Sequence, residues 1–255
     1  MILIAGINGA GKTSFYYNRL KPLLEEQGFE FPFINADEIE KANHPTEIGQ
    51  HGVAASREAY RHRTKHFNDK TSFVTESVYS QQSKNSLLLK AQSYGFDVYL
   101  HHVHVPSPDI AYKRVQTRVQ LKGHHVDEEV VKQRYPRMVR NMQIAISEAD
   151  VGYVWDNSQG HTVNQSLNQF VMKTVRGNVT ETTESVPKWA LEIYQKQLKA
   201  YSDHKAQVCL SAFRMLMRDS SDESRIRINA TLRAAKITPA EFLVAVKYFS
   251  DKSKR

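Results

Sequence analysis

The chain of 255 residues contains one cysteine, Cys209. No intramolecular disulfide can form, and such a sequence fits a reducing compartment. Cys209 lies between Val208 and Leu210, the setting of a small buried hydrophobe. Long apolar runs are missing too: no stretch nears the roughly 18 residues that cross a bilayer. No basic segment precedes the first apolar run, so Met1 to Ala5 reads as a strand and not as a secretory leader. The expectation is a cytoplasmic protein with no membrane partner. Acidic residues are outnumbered, leaving a net charge of +8. Residues 181–255 hold 14 Lys+Arg against 9 Asp+Glu, and residues 1–180 hold 21 against 18. A basic balance favours an acidic partner, whether nucleotide, nucleotide-sugar, nucleic acid or acidic protein, without choosing among them.

What is present begins at once. Gly6-Ile7-Asn8-Gly9-Ala10-Gly11-Lys12-Thr13 is G-x-x-x-x-G-K-T, set between a buried strand and a helical run ending near Gln27. Glycines let backbone N–H groups approach phosphate oxygens, and the helix N-terminus adds donors and partial positive charge. Asn8, Gly9, Ala10, Gly11, Lys12, Thr13 and Ser14, with Gly6 ahead of them, are therefore candidate nucleotide-binding residues. Lys12 supplies a charge for the β- and γ-phosphates, and the Thr13 hydroxyl is the candidate Mg²⁺ ligand.

Alternating β-rich and helical runs over the first 175 residues argue for a parallel sheet with helices on both faces. The strands expected are 1–5, 31–35, 72–76, 97–105 and 151–155, with a last helix over 163–175: a five-stranded α/β unit. Ligands in such sheets bind beyond the carboxyl ends of strands. Two carboxylates lie there. Asp37 could accept a proton from an attacking hydroxyl, or could merely cap the next helix. Glu76, followed by Ser77, could contact substrate or, through water, Mg²⁺. The arginines and histidines of residues 57–66 read mostly as a solvated face. On the fourth strand, alternation puts His102 and His104 on one face and His101 on the other, with no cysteine or carboxylate spaced to complete a metal site. Ser107-Pro108 opens a helix carrying Arg114 and Arg118, Gly123 breaks it, and a second helix carries Arg134, Arg137 and Arg140. This is an arginine-rich lid of the kind phosphoryl transfer uses. Residues 176–187 read as a polar linker. Residues 188–255 read as a helical module, its final helix opened by Thr238-Pro239-Ala240-Glu241, a capping box.

These residues together resemble the zeta-toxin family of P-loop kinases over about 1–175. The resemblance rests on Gly6 to Thr13, Asn35-Ala36-Asp37, Thr75-Glu76-Ser77, the run from Val115 to Tyr135, and Trp155-Asp156-Asn157-Ser158. It implies a kinase using ATP or GTP with Mg²⁺, whose acceptor is UDP-N-acetylglucosamine and which acts as a toxin restrained by an antitoxin protein. It further implies Asp37 as catalytic base, Lys12, Arg118 and Arg134 around the transferred phosphoryl group, and Glu76 with Ser77 at the sugar. Ser77-Val78 stands where several members carry a threonine, and the helical module beyond Val186 has no counterpart in the sugar-phosphorylating members. Two other readings stay open: a kinase for another acceptor, such as a nucleic-acid end, a nucleotide or another metabolite, and a nucleotide-switched binding protein with weak ATPase activity.

Overall fold

The computed structural model describes residues 1–81, 85–120, 126–159 and 168–253. Strand β1, Ile2–Ala5, is buried along its whole length. It feeds the glycine loop, which opens onto α1, Lys12–Phe15. A π-helical turn, Tyr16–Leu20, joins α1 to α2, Lys21–Glu26. Pro22 cannot donate a backbone hydrogen bond, and the widened turn lies just ahead of it. The chain continues through β2 (Phe33–Ile34), α3 (Ala36–Asn43), α4 (Gly52–Asp69), β3 (Val74–Ser77) and α5 (Asn85–Ser93). Then come β4 (Tyr99–His104), α6 (Pro108–Gln120), α7 (Glu128–Glu148) and β5 (Val151–Asp156). The backbone N–H of Ile110 donates to Ser107 Oγ at 3.2 Å, so α6 starts at the cap the sequence offers.

The sheet order is β2-β3-β1-β4-β5, continued by β6 (Gln169–Val175) and β7 (Asn178–Thr182). The first five of these pair in parallel, with Ile4 beside Glu76 on one flank and His101 on the other. Strand order reverses at β1, so the crevice beyond its carboxyl end is the natural ligand site.

Two expectations are corrected. The sheet has seven strands among the described residues, not five, and Gln169–Val175 is a strand, β6, where a helix was expected. Val171, Met172 and Thr174 turn inwards, and β6 pairs antiparallel with β5. The expected linker contains β7, Asn178–Thr182, paired antiparallel with β6. Arg176 (φ 47°) and Gly177 (φ 75°) make the turn between them, both left-handed, as tight hairpins require. Residues 163–167 of the expected helix lie outside the described residues. A short helix, α8 (Lys188–Ile193), follows.

The histidines of β4 are core residues. His101 packs with Phe15, Tyr153 and Trp155, and its Nδ1 accepts from the Trp155 indole N–H at 3.2 Å. His104 lies on the opposite face, under the ring of Trp189 at 3.9 Å. Burial, with a smaller push from Arg19, lowers His101 from 6.5 to about 3. Burial alone takes His104 to about 3, and holds His102 well below its ordinary value, with His104 adding to the effect.

The chain divides into two units, Met1–Ile193 and Tyr194–Arg255. The second consists of α9 (Gln195–Arg218), α10 (Asp222–Ala234) and α11 (Pro239–Ser253) around Cys209, Ala212, Ile228, Leu232 and Ile237. Cys209 is thus the buried hydrophobe its neighbours suggest. The capping box forms: Thr238 N–H donates to Glu241 Oε2 at 2.7 Å, and Glu241 N–H to Thr238 Oγ1 at 3.2 Å. No described helix is long and apolar enough to cross a membrane.

The buried histidines generate a pH dependence. The unfolded chain takes up protons near pH 6.5 that the folded chain refuses until about pH 3. Stability is therefore complete above about 6.5 and falls as pH drops, by up to about 1.4 kcal/mol per pH unit per histidine. Urea midpoints measured from pH 7 to pH 4 should decline, with a shallower slope for His101→Phe. A flat profile would show these rings accept protons in place.

Candidate functional site

The glycine loop is fixed by close approach. A side chain on Gly9 would collide with the carbonyl oxygen of Ala111, and one on Gly6 with that of Val103. Gly11 takes a left-handed conformation (φ 88°) at the cap of α1. From the far side the buried Asn157 donates its amide to the Ala10 carbonyl at 2.7 Å. Gly6 and buried Ala10 back the loop, while Asn8, Gly9, Gly11, Lys12, Thr13 and Ser14 line a cleft of about 1370 Å³. Ligand pockets commonly span about 300–1,000 Å³, so this one has room for more than one small molecule.

Glu76, at the end of β3, draws the loop's chemistry together. Its Oε2 accepts from the Thr13 hydroxyl at 2.9 Å and from the Asn35 amide at 2.9 Å. Its Oε1 lies 3.4 Å from Lys12 Nζ, which also donates to the Ile7 carbonyl at 3.1 Å. Lys12 is only 5% exposed and Glu76 13%, so water screens this pair poorly. The Thr13 hydroxyl and Glu76 carboxylate are adjacent hard oxygen donors, a set that suits Mg²⁺.

Asn35 has a second duty. It is the N-cap of α3, accepting from Asp37 N–H at 2.8 Å. Asp37 therefore sits in the first helical turn and is not the cap. Its carboxylate is half-exposed in the cleft, 3.7 Å from Arg118 Nη1. Ser77 lines the same cleft.

Arg114, Arg118 and Arg134 line it as well, whereas Arg137 donates instead to the Gln133 carbonyl of its own helix. Arg134 Nη1 donates to Asn8 Oδ1 at 3.1 Å, tying α7 to the glycine loop. The turn expected at Gly123-His124-His125 lies outside the described residues. Arg114 was read as part of the arginine-rich lid but given no role at the phosphoryl group, and it lines the cleft beside Arg118. Its Nη2 donates to the Asn157 carbonyl at 2.8 Å, and its Nη1 is buried with no partner among the described residues. Burial lowers its pKa, opposed by Asp156. The signal was its spacing, four residues before Arg118 on the same face of α6.

A further feature concerns α4. Arg57, Tyr60 and Arg61 are exposed, as a mostly solvated face would have them, yet with half-buried Arg63 they also line the cleft. Burial lowers the pKa of Arg63 too. The cleft is thus lined by the glycine loop, by the cationic and aromatic side chains of α4, and by Asp37 with Arg118.

No family model matches the chain. An uncharacterized protein of Haemophilus influenzae is 26% identical over 137 residues, covering 52% of this chain and 91% of its own length. Among solved structures, the AvrRxo1-ORF1:AvrRxo1-ORF2 complex with ATP is similar at a TM-score of 0.56 and 17% identity, over 77% of this chain. The match covers 62% of that neighbour, less than two thirds of its length. A looser likeness, at a TM-score of 0.45 and 14% identity over 77% of this chain and 76% of the other, is to the PezAT chromosomal toxin–antitoxin system of Streptococcus pneumoniae, and it carries no argument. What the first of these structures shares with the chain is its fold. The protein is of the P-loop α/β class, with a mostly parallel sheet.

Removing the Glu76 carboxylate leaves Lys12 as a buried charge without its counter-ion and deprives Thr13 and Asn35 of their acceptor. Glu76→Ala should destabilise the nucleotide-free protein by about 3 kcal/mol, the scale for breaking one side of a buried pair. Chemical denaturation checks this, and an unchanged midpoint would mean that water solvates Lys12.

Proposed function

We propose that this protein is a kinase of the zeta-toxin type, transferring the γ-phosphate of ATP or GTP to a hydroxyl of an anionic acceptor, with UDP-N-acetylglucosamine the first acceptor to try. The observation that carries the reading is the Asp37 carboxylate, paired with Arg118, in the same cleft as the glycine loop and the arginines of α4. A nucleotide switch has no need of a carboxylate there, whereas phosphoryl transfer to an alcohol does.

In this reading the loop amides, Lys12 and Ser14 hold the nucleotide phosphates. Bound Mg²⁺ would supply charge neutralisation there, held by the Thr13 hydroxyl and the Glu76 carboxylate. Arg57, Arg61 and Arg63 attract the acceptor's own phosphates, Tyr60 offers a ring face to a base or sugar, and Glu76 and Ser77 lie at the sugar end. Asp37 takes the proton as the acceptor oxygen bonds to the γ-phosphorus, and the bond from that phosphorus to the bridging oxygen breaks to release the nucleoside diphosphate. Arg118 and Arg134 meet the charge spreading over the equatorial oxygens. Arg118 also orients the Asp37 carboxylate beforehand, from 3.7 Å away. The toxin role and an antitoxin partner follow from the same resemblance. The similar AvrRxo1 structure is itself a two-protein complex with ATP.

The test supplies purified protein with Mg²⁺, γ-labelled ATP or GTP, and UDP-N-acetylglucosamine beside a metabolite extract. Label should appear in a UDP-sugar. Label in another anionic metabolite would replace the acceptor, and label in free phosphate alone would sink the kinase reading in favour of a nucleotide switch. Asp37→Ala should cut transfer by about 10²–10⁴-fold while leaving nucleotide affinity within a few fold. Transfer at the normal rate would remove Asp37 as base. Arg118→Ala should lower kcat by about 10²-fold or more with a smaller change in nucleotide KM, because the charge it meets develops during transfer. An effect on KM alone would make Arg118 a ground-state binder.

A further inference from the structure

The connection between α3 and α4 carries a feature that phosphoryl transfer does not use. His44 ends α3 and His51 is the N-cap of α4, with Glu47 between them. Glu40, itself 1% exposed, holds the connection from inside: its Oε1 accepts from Gly49 N–H at 3.0 Å and His51 N–H at 2.6 Å. That clamp stacks the His44 and His51 rings with centroids 3.8 Å apart. It also sets Glu47 Oε2 at 2.7 Å from His51 Nε2. One ligand atom from each of His44, Glu47 and His51 lies within 4.8 Å of the other two.

We infer that His44, Glu47 and His51 form a binding site for a divalent transition-metal ion of the zinc class. Two imidazoles and one carboxylate suit zinc, cobalt and nickel, and are a poor set for Mg²⁺, which demands oxygen ligands in an octahedron. Tetrahedral Zn²⁺ holds its ligands at about 2.0–2.2 Å, hence about 3.3–3.5 Å from one another. The three groups lie within 4.8 Å of one another, and ligation would replace the 2.7 Å contact between Glu47 and His51. Glu47 is exposed and the two rings are partly so, and rotation of these side chains closes the remainder. Water takes the fourth position. Glu40 acts as a positioning residue, because it holds the backbone from which His51 projects and adds negative charge beneath the ion.

The site has a consequence for the cleft. Gly52 and Val53, which follow His51 directly, line the cleft wall on which Arg57 and Arg61 also stand. An ion joining the end of α3 to the start of α4 fixes that wall against the helix bearing Asp37. It does so whatever the cleft binds, so this inference is independent of the kinase reading.

The experiment titrates the full-length, chelator-stripped protein with Co²⁺, followed by visible absorption, and then with Zn²⁺ in competition, all in millimolar Mg²⁺. One Co²⁺ per chain with the intense bands of four-coordinate geometry, displaced by Zn²⁺, is expected. His44→Ala, His51→Ala and Glu47→Gln should each weaken Zn²⁺ binding by about tenfold or more. His62→Ala removes a histidine that pairs with Glu58 outside the cluster, and it should bind like the wild type. Circular dichroism of each variant without metal separates lost ligation from lost fold, and Glu47→Gln alters only an exposed carboxylate. The inference is overturned if the wild type gives no Co²⁺ band, if binding survives unchanged in His44→Ala and His51→Ala, or if His62→Ala loses it equally.

Discussion

Lys12 is a full positive charge held almost out of water, and Glu76 is the group that makes this tolerable. Much of the site depends on that pairing. The parallel register that puts Ile4 beside Glu76 brings the carboxylate level with the loop. Once there, it takes the Thr13 hydroxyl and the Asn35 amide as further donors. Asn35, so held, caps α3, and the cap fixes Asp37 in the first turn of the helix, its carboxylate in the cleft beside Arg118. One buried ion pair thus sets the positions of groups on α1, β3 and α3, and of Asn35 between β2 and α3.

Three cations of the cleft have partners within the chain: Lys12 in Glu76, Arg118 in Asp37, and Arg134 in the Asn8 amide oxygen. An anion bound by these three would exchange partners with them. The cradle is consequently held in shape before it binds, which lowers the ordering cost of binding.

The glycine loop was legible because its pattern encodes close approach: the collisions at Gly6 and Gly9 are with backbone atoms that cannot move aside. The caps at Ser107 and Thr238 were legible because they are local chemistry, complete within a few residues. The β6–β7 hairpin was not. Its turn is Arg176-Gly177, without the Asn-Gly that usually marks one, and Val171 and Met172 are buried side by side, which breaks the alternation that marks a strand. The arginines of α4 read as solvated because their helix does face water. Only the fold reveals that side chains of this face also line the cleft at the glycine loop. Stacking of His44 on His51 depends on Glu40, whose buried role no spacing announces.

The added hairpin also changes how the sheet ends. On one side the boundary is β2, only two residues long, and on the other it is β7, Asn178-Val179-Thr180-Glu181-Thr182. A parallel sheet of apolar strands would otherwise offer a neighbouring chain a row of unpaired amides on which to grow. One border is too short to template a strand, and the other carries a charge and polar side chains, so the sheet stops at the molecule's own limit.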